Sequence, residues 1–148
     1  ILITIFNALS RLTKEFDKKV IFPMHPRTLS KLGSIQIPKK VMVTKPFGFY
    51  DFNKLLKESY CVLSDSGTAP EEGLFYRVPN VSLRMVTERY ETIESGGTIV
   101  SGMDPDNIVE SIRTATSLDW HVNYEFDEYH SPSSVVINAL RTQITTFL

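Results

Sequence analysis

One cysteine, Cys61, stands in 148 residues. That count excludes a disulfide within the chain and a cysteine-based metal cluster. A lone thiol in an apolar stretch fits a reducing compartment, so a cytoplasmic location is expected. Neither sign of charge is in excess: 16 Lys and Arg face 17 Asp and Glu, for a net charge of −1. Without a basic surplus to neutralise a phosphate backbone, a general nucleic-acid binder is not expected. No apolar run approaches the roughly 20 residues that span a bilayer, and no membrane association is expected either. His121 and His130 have no companions at metal-ligand spacing, so no metal site is expected. The hydrophobic share of 42% excludes intrinsic disorder. The length is that of one domain, able to bury a core without staples. The sequence opens on Ile1-Leu2-Ile3 with no basic stretch before it. It is expected to be part of a longer protein rather than to begin with a signal peptide.

Short apolar runs alternate with helical patterns. Leu2, Ile5, Phe6, Leu9, Leu12 and Phe16 fall at helical spacing and predict a helix over about residues 2–16. Val20-Ile21-Phe22, Val41-Met42-Val43, Cys61-Val62-Leu63, Asn80-Val81-Ser82-Leu83 and Thr98-Ile99-Val100 read as five buried strands. Between them, helices are expected over Arg27 to Leu32 with Gly33 as the stop, and after an Asp51 cap with Phe52, Leu55 and Leu56 on one face. Others are expected with Pro70 in the first turn, and over Thr87 to Ser95. Asp104-Pro105 starts another helix, with Ile108, Val109, Ile112 and Ala115 inward, and residues 118–130 are irregular. Ser131-Pro132 starts a last helix with Val135, Val136, Ala139, Leu140 and Ile144 on its apolar side. The alternation predicts one α/β domain, a parallel sheet of five strands with helices on both faces. Such sheets take ligands beyond the C-terminal ends of their strands.

Four segments lie at such ends. Ser64-Asp65-Ser66-Gly67-Thr68-Ala69-Pro70-Glu71-Glu72 leaves a strand and enters a helix. Small residues let a ligand approach the backbone, and the free N–H groups of a first helical turn favour an anion such as phosphate. Ser66 and Thr68 add hydroxyls, and the Glu72 carboxylate can accept from the vicinal hydroxyls of a ribose. The plainer alternative is that Ser66 or Thr68 only caps the helix, while Glu71 and Glu72 only complement its dipole. Pro23-Met24-His25-Pro26-Arg27 offers His25 and Arg27 to an anion, or is a capped loop with a solvated arginine. Arg84 and Arg89 can grip phosphate through their planar donor forks, or Arg89 can pair with Glu88 or Glu91. Phe47-Gly48-Phe49-Tyr50-Asp51-Phe52 can stack a nucleobase or simply pack on the core. Cys61 reads as an inert core thiol, Trp120 as a packing anchor, and Glu125, Asp127 and Glu128 as a solvated face.

Together these segments resemble the C-terminal half of the bacterial non-hydrolysing UDP-N-acetylglucosamine 2-epimerases. The resemblance rests on Pro23-Met24-His25-Pro26, the aromatic stretch Phe49 to Leu56, Ser64-Asp65-Ser66-Gly67 with Glu71 and Glu72, and Arg84 with Thr87-Glu88-Arg89-Tyr90-Glu91. Two positions depart from the family pattern: Thr68 stands where a second glycine is usual, and Tyr90 where proline is usual. Val81-Ser82-Leu83-Arg84 and Ser101-Gly102 look closer to the capsule and O-antigen branch, which includes enzymes giving a UDP-linked fucosamine epimer.

The resemblance implies the Rossmann-like C-terminal half of a GT-B fold. Residues 1–148 would form a single nucleotide-binding domain without the N-terminal domain that carries the main acid and base groups. No cofactor is implied. The partners implied are UDP or a UDP-N-acetylhexosamine, the N-terminal domain and, at full length, a second copy in a homodimer. Ser66, Gly67, Arg84 and Arg89 would stabilise the leaving UDP, with Thr68 crowding the phosphate or adding a donor to it. Glu72 would hold the ribose and Phe52 the uracil. His25 and Arg27 would line the cleft near the phosphates, or a second nucleotide-sugar site. No catalytic group is expected within the chain. The rival readings are half of a GT-B glycosyltransferase and a non-catalytic α/β binding domain of flavodoxin-like type.

Overall fold

A computed structural model describes residues 1–118 together with Ser133, Val136, Ile137 and Leu140. In chain order the elements are α1 (Leu2–Glu15), β1 (Val20–Pro23), α2 (Pro26–Leu29), β2 (Val41–Thr44), α3 (Phe49–Lys57), β3 (Val62–Ser64), α4 (Ala69–Tyr76), β4 (Asn80–Ser82), α5 (Tyr90–Glu94), β5 (Thr98–Val100) and α6 (Pro105–Ser117). Trp120, His121, Glu125, Asp127, Glu128 and His130 lie outside the described residues, as do Val135, Ala139 and Ile144 of the expected last helix.

All strand pairings are parallel, as the alternation predicts. The expectation of one five-stranded ladder needs correction, because the strands hydrogen-bond as two sheets, β1-β2 and β3-β4-β5. One apolar core joins them: Phe6, Leu9 and Leu12 of α1, Met24, Val41, Val81 and Leu83, and Ile108, Val109 and Ile112 of α6. Helices α1 and α6 pack on each other, and α6 also lies against β4 and β5. Helix α4 lies against β3 and β4 and contacts α3 and α5. Strand β4 is thus covered throughout, and Asn80, Val81 and Ser82 are all buried. The β1-β2 ladder differs. Its paired residues Ile21 and Met42 are exposed, so these two strands bury one face only, against the reading of them as fully buried.

Element ends differ from the sequence reading for local reasons. Gly48, not Asp51, is the N-cap of α3, and Asp51 sits in the first turn, where its charge complements the dipole. His25 caps α2, which closes after four residues before the chain reaches Gly33. Helix α5 starts only at Tyr90, because the Thr87 hydroxyl accepts the Arg89 N–H at 3.1 Å and holds residues 87–89 in a turn. Asp104 caps α6 as expected, accepting from the N–H groups of Asp106 and Asn107. Strand β3 starts at Val62, and burial pushes the thiol of half-buried Cys61 up to about 12, so it stays protonated at neutral pH. Val136 and Leu140, expected on an apolar side, are exposed.

Candidate functional site

Parallel register places the candidate loops side by side. Ser64 of β3 is level with Ser82 of β4, and Ser82 with Val100 of β5. The ladder runs on past the strands: Leu83 N–H donates to the Ser64 carbonyl at 2.9 Å, and Gly102 N–H to the Arg84 carbonyl at 3.1 Å. The Ser64–Thr68 turn, the Arg84 loop and the Ser101-Gly102 turn therefore share one edge of the three-stranded sheet.

The Ser64–Thr68 turn is shaped by its own hydroxyls. Ser66 N–H donates to Ser64 Oγ at 3.0 Å, and Thr68 N–H reaches Ser66 Oγ at 3.3 Å. Ser66 Oγ and Thr68 Oγ1 lie 3.3 Å apart. Thr68 is the N-cap of α4, yet its side chain makes no capping bond, so its hydroxyl is not spent on the cap. The first backbone bond here is from Glu72 N–H to the Thr68 carbonyl at 3.0 Å. The donors ahead of it have no helical acceptor.

The two departures from the family pattern sit comfortably in the backbone. Thr68 has φ −95° and ψ −23°, a conformation any residue adopts, so no glycine is required there. Tyr90 occupies the first position of α5, where proline is favoured because its missing N–H has no helical partner.

Arg84 reaches back over the turn. Its Nε donates to the Asp65 carbonyl at 2.8 Å, and Nη1 contacts both Glu88 carboxylate oxygens at 3.0 Å. A Cβ on Gly67 would lie 3.5 Å from Arg84 Nη2 and 3.5 Å from Glu88 Oε1. The Arg84–Glu88 pair therefore lies over the face of Gly67, with room for little more than a methyl group between them. The backbone N–H of Glu88, and then the Arg84 guanidinium, hold the Glu88 carboxyl below the usual carboxylate range.

Arg89 is placed otherwise than its spacing suggests. Among the described residues it hydrogen-bonds neither Glu88 nor Glu91, although its charge also acts on the Glu88 carboxylate. Its Nη1 donates to Glu71 in the first turn of α4 at 2.7 Å. Glu71 is thereby engaged, whereas Glu72 one residue on is half-buried with no side-chain partner among the described residues. Tyr76 of α4 donates to Asn53 of α3 at 2.9 Å, which fixes the two helices together next to half-exposed Phe52. His25 and Arg27 belong to the other ladder, at the end of β1. His25 Nδ1 accepts the Arg27 N–H at 3.2 Å. No hydrogen bond or ion pair links either residue to the Gly67 turn among the described residues.

Three contributors escape a reading of sequence alone: the Asp65 carbonyl, Glu88 and Asn80. Asn80 is fully buried, and its Nδ2 donates to the Ala69 carbonyl at 3.1 Å. Gly73 makes room for it, since a Cβ there would stand 3.2 Å from Asn80 Nδ2. An amide side chain opening a strand was the available signal, and the Arg84-to-Glu88 interval of four residues was the other.

The sequence model of a family described as UDP-N-acetylglucosamine 2-epimerase matches residues 1–134. The chain belongs to that family. It corresponds to the C-terminal half of the epimerase. The UDP-N-acetylglucosamine 2-epimerase of Methanococcus maripaludis is 32% identical over 142 residues, which are 92% of this chain and 39% of the relative. A Pseudomonas aeruginosa family member, UDP-2,3-diacetamido-2,3-dideoxy-D-glucuronate 2-epimerase, is 36% identical over 65% of this chain and 27% of its own length. The crystal structure of the Methanocaldococcus jannaschii UDP-GlcNAc 2-epimerase, in complex with UDP-GlcNAc and UDP, superposes with a TM-score of 0.79 at 26% identity. That match covers 95% of this chain and 40% of the other. The chain thus spans about two-fifths of the length of the two archaeal epimerases, and the match to the Pseudomonas aeruginosa relative covers 27% of that protein. The parallel sheet flanked by helices is the arrangement of the GT-B fold to which the family belongs. No described helix is long and apolar enough to cross a membrane.

Proposed function

We propose that residues 1–148 are the UDP-binding domain of a UDP-N-acetylhexosamine 2-epimerase serving surface polysaccharide synthesis. The observation that carries this reading is the guanidinium of Arg84 lying over the side-chain-free face of Gly67, at the start of α4, in a chain of this family. The reaction inverts C2 by elimination and re-addition. A proton leaves C2 and the C1–O bond to UDP breaks, giving a glycal. A proton then returns to the other face of C2 and UDP returns to C1.

Negative charge grows on the β-phosphate as UDP leaves. Fixed N–H donors, hydroxyls and a guanidinium stabilise that charge, and they need no reorganisation when it appears. Ser66, Gly67, Thr68 and Arg84 supply them. Arg89 acts from the Glu71 side of the helix start. Glu72 holds the ribose, Phe52 packs beside the uracil, and His25 with Arg27 lines the cleft. The acid and base groups belong to the N-terminal domain, and the full-length enzyme works as a cytoplasmic homodimer. The capsule and O-antigen branch, with its fucosamine epimers, is one form of this reading.

Incubation of the full-length protein with UDP-N-acetylglucosamine alone, followed by NMR, tests the proposal. The 2-epimer is expected without any acceptor, and residues 1–148 alone are expected to give none. Turnover that requires an acceptor sugar would instead mark a transferase. The ribose contact has its own test. Glu72→Ala in the full-length protein should weaken UDP binding about tenfold, the scale of one charge-assisted hydrogen bond. Glu71→Ala should do less. Calorimetry that ranks them in the opposite order would move the ribose to Glu71.

A further inference from the structure

Resting on that reading, we infer that Glu88 is a positioning residue for the phosphate-binding arginine. Two of the three nitrogens of Arg84 are committed to partners within the domain. Nε is fixed to the Asp65 carbonyl at 2.8 Å, and Nη1 to both Glu88 oxygens at 3.0 Å. Nη2 is the nitrogen nearest the Gly67 face, at 3.5 Å from where a Cβ would be. A planar guanidinium gripped at two nitrogens has its third direction defined. Glu88 thus aims a charged donor at the opening of the turn.

Stability is not the purpose of this pair. The Glu88 side chain is 63% exposed, and exposed ion pairs contribute little to folding. Its effect lies in pre-ordering: the long arginine side chain has less freedom to lose when an anion arrives.

Calorimetric titration of the full-length protein with UDP and with uridine tests the assignment. Glu88→Ala should weaken UDP about fivefold and leave uridine unchanged, the coupling expected between members of one hydrogen-bonded network. Glu88→Gln should recover part of the loss, because the amide oxygen still accepts from Nη1. In an Arg84→Ala background, Glu88→Ala should change nothing further. Tighter UDP binding by Glu88→Ala would overturn the inference and make the carboxylate a competitor of the phosphate. Unchanged UDP binding, or equal losses for UDP and uridine, would overturn it too. Failure of the unaltered protein to bind UDP would overturn the functional proposal and this inference together.

Discussion

Arg84→Ala in the full-length protein should weaken UDP binding about a hundredfold and uridine binding little. A charged donor facing a charged acceptor contributes about 1.5–3 kcal/mol, and more than one such bond can reach a diphosphate. Each 1.4 kcal/mol is about tenfold in affinity. Uridine keeps the ribose and base contacts and lacks the phosphates. It therefore reports any damage to the loop from losing the bond to the Asp65 carbonyl. Raising the salt concentration should narrow the gap between the two ligands in the unaltered protein and leave the variant less affected, because screening acts on the charge pair. Equal losses for both ligands, measured by calorimetry, would mean that Arg84 supports the base pocket or the fold.

The second large effect is on stability. Ile108→Ala should lower the unfolding free energy by about 2–5 kcal/mol, as do comparable deletions in packed cores. Ile108 is fully buried on α6 among residues of the shared core. A loss of that size is a large fraction of the roughly 5–15 kcal/mol that holds an ordinary domain together. The contrast is Arg113→Ala on the outer side of the same helix. Arg113 pairs with Glu15 of α1 and with Glu110, but its side chain is half-exposed and its pairs are screened by solvent, so little change in stability is expected. Urea unfolding should shift its midpoint strongly for the first variant and barely for the second, with little change in slope. Comparable shifts would mean that the α1–α6 contact is held by its ion pairs rather than by its apolar face.

The strands were legible because short apolar runs between turn residues have few other readings. All five are found within a residue or two of where the runs lie. Helix starts were less legible: Gly48 rather than Asp51 caps α3, and the Thr87 hydroxyl delays α5 from the expected Thr87 to Tyr90. Hydrophobicity does not encode which strands hydrogen-bond, and so the split into two ladders was missed. It also failed to mark Ile21 and Met42 as exposed. Within the candidate site, the segments were legible from small residues following strands. The partners were not. Arg89 chose Glu71, eighteen residues away, over its sequence neighbours, because the α4 start and the β4 loop meet only after the sheet forms.

The turn that holds Gly67 is gripped at both ends by one strand and its extension. Asn80, at the beginning of β4, holds the Ala69 carbonyl on the helix side, and Arg84, just past its end, holds the Asp65 carbonyl on the other. The two grips are carried on a single stretch of buried backbone, like the jaws of a caliper on one bar. The β1-β2 ladder shares no strand hydrogen bond with β4 and contributes to neither grip. The spacing of the donors is therefore a property of the domain's most buried strand. A movement that carries the whole domain towards or away from a partner delivers those donors without altering their gauge.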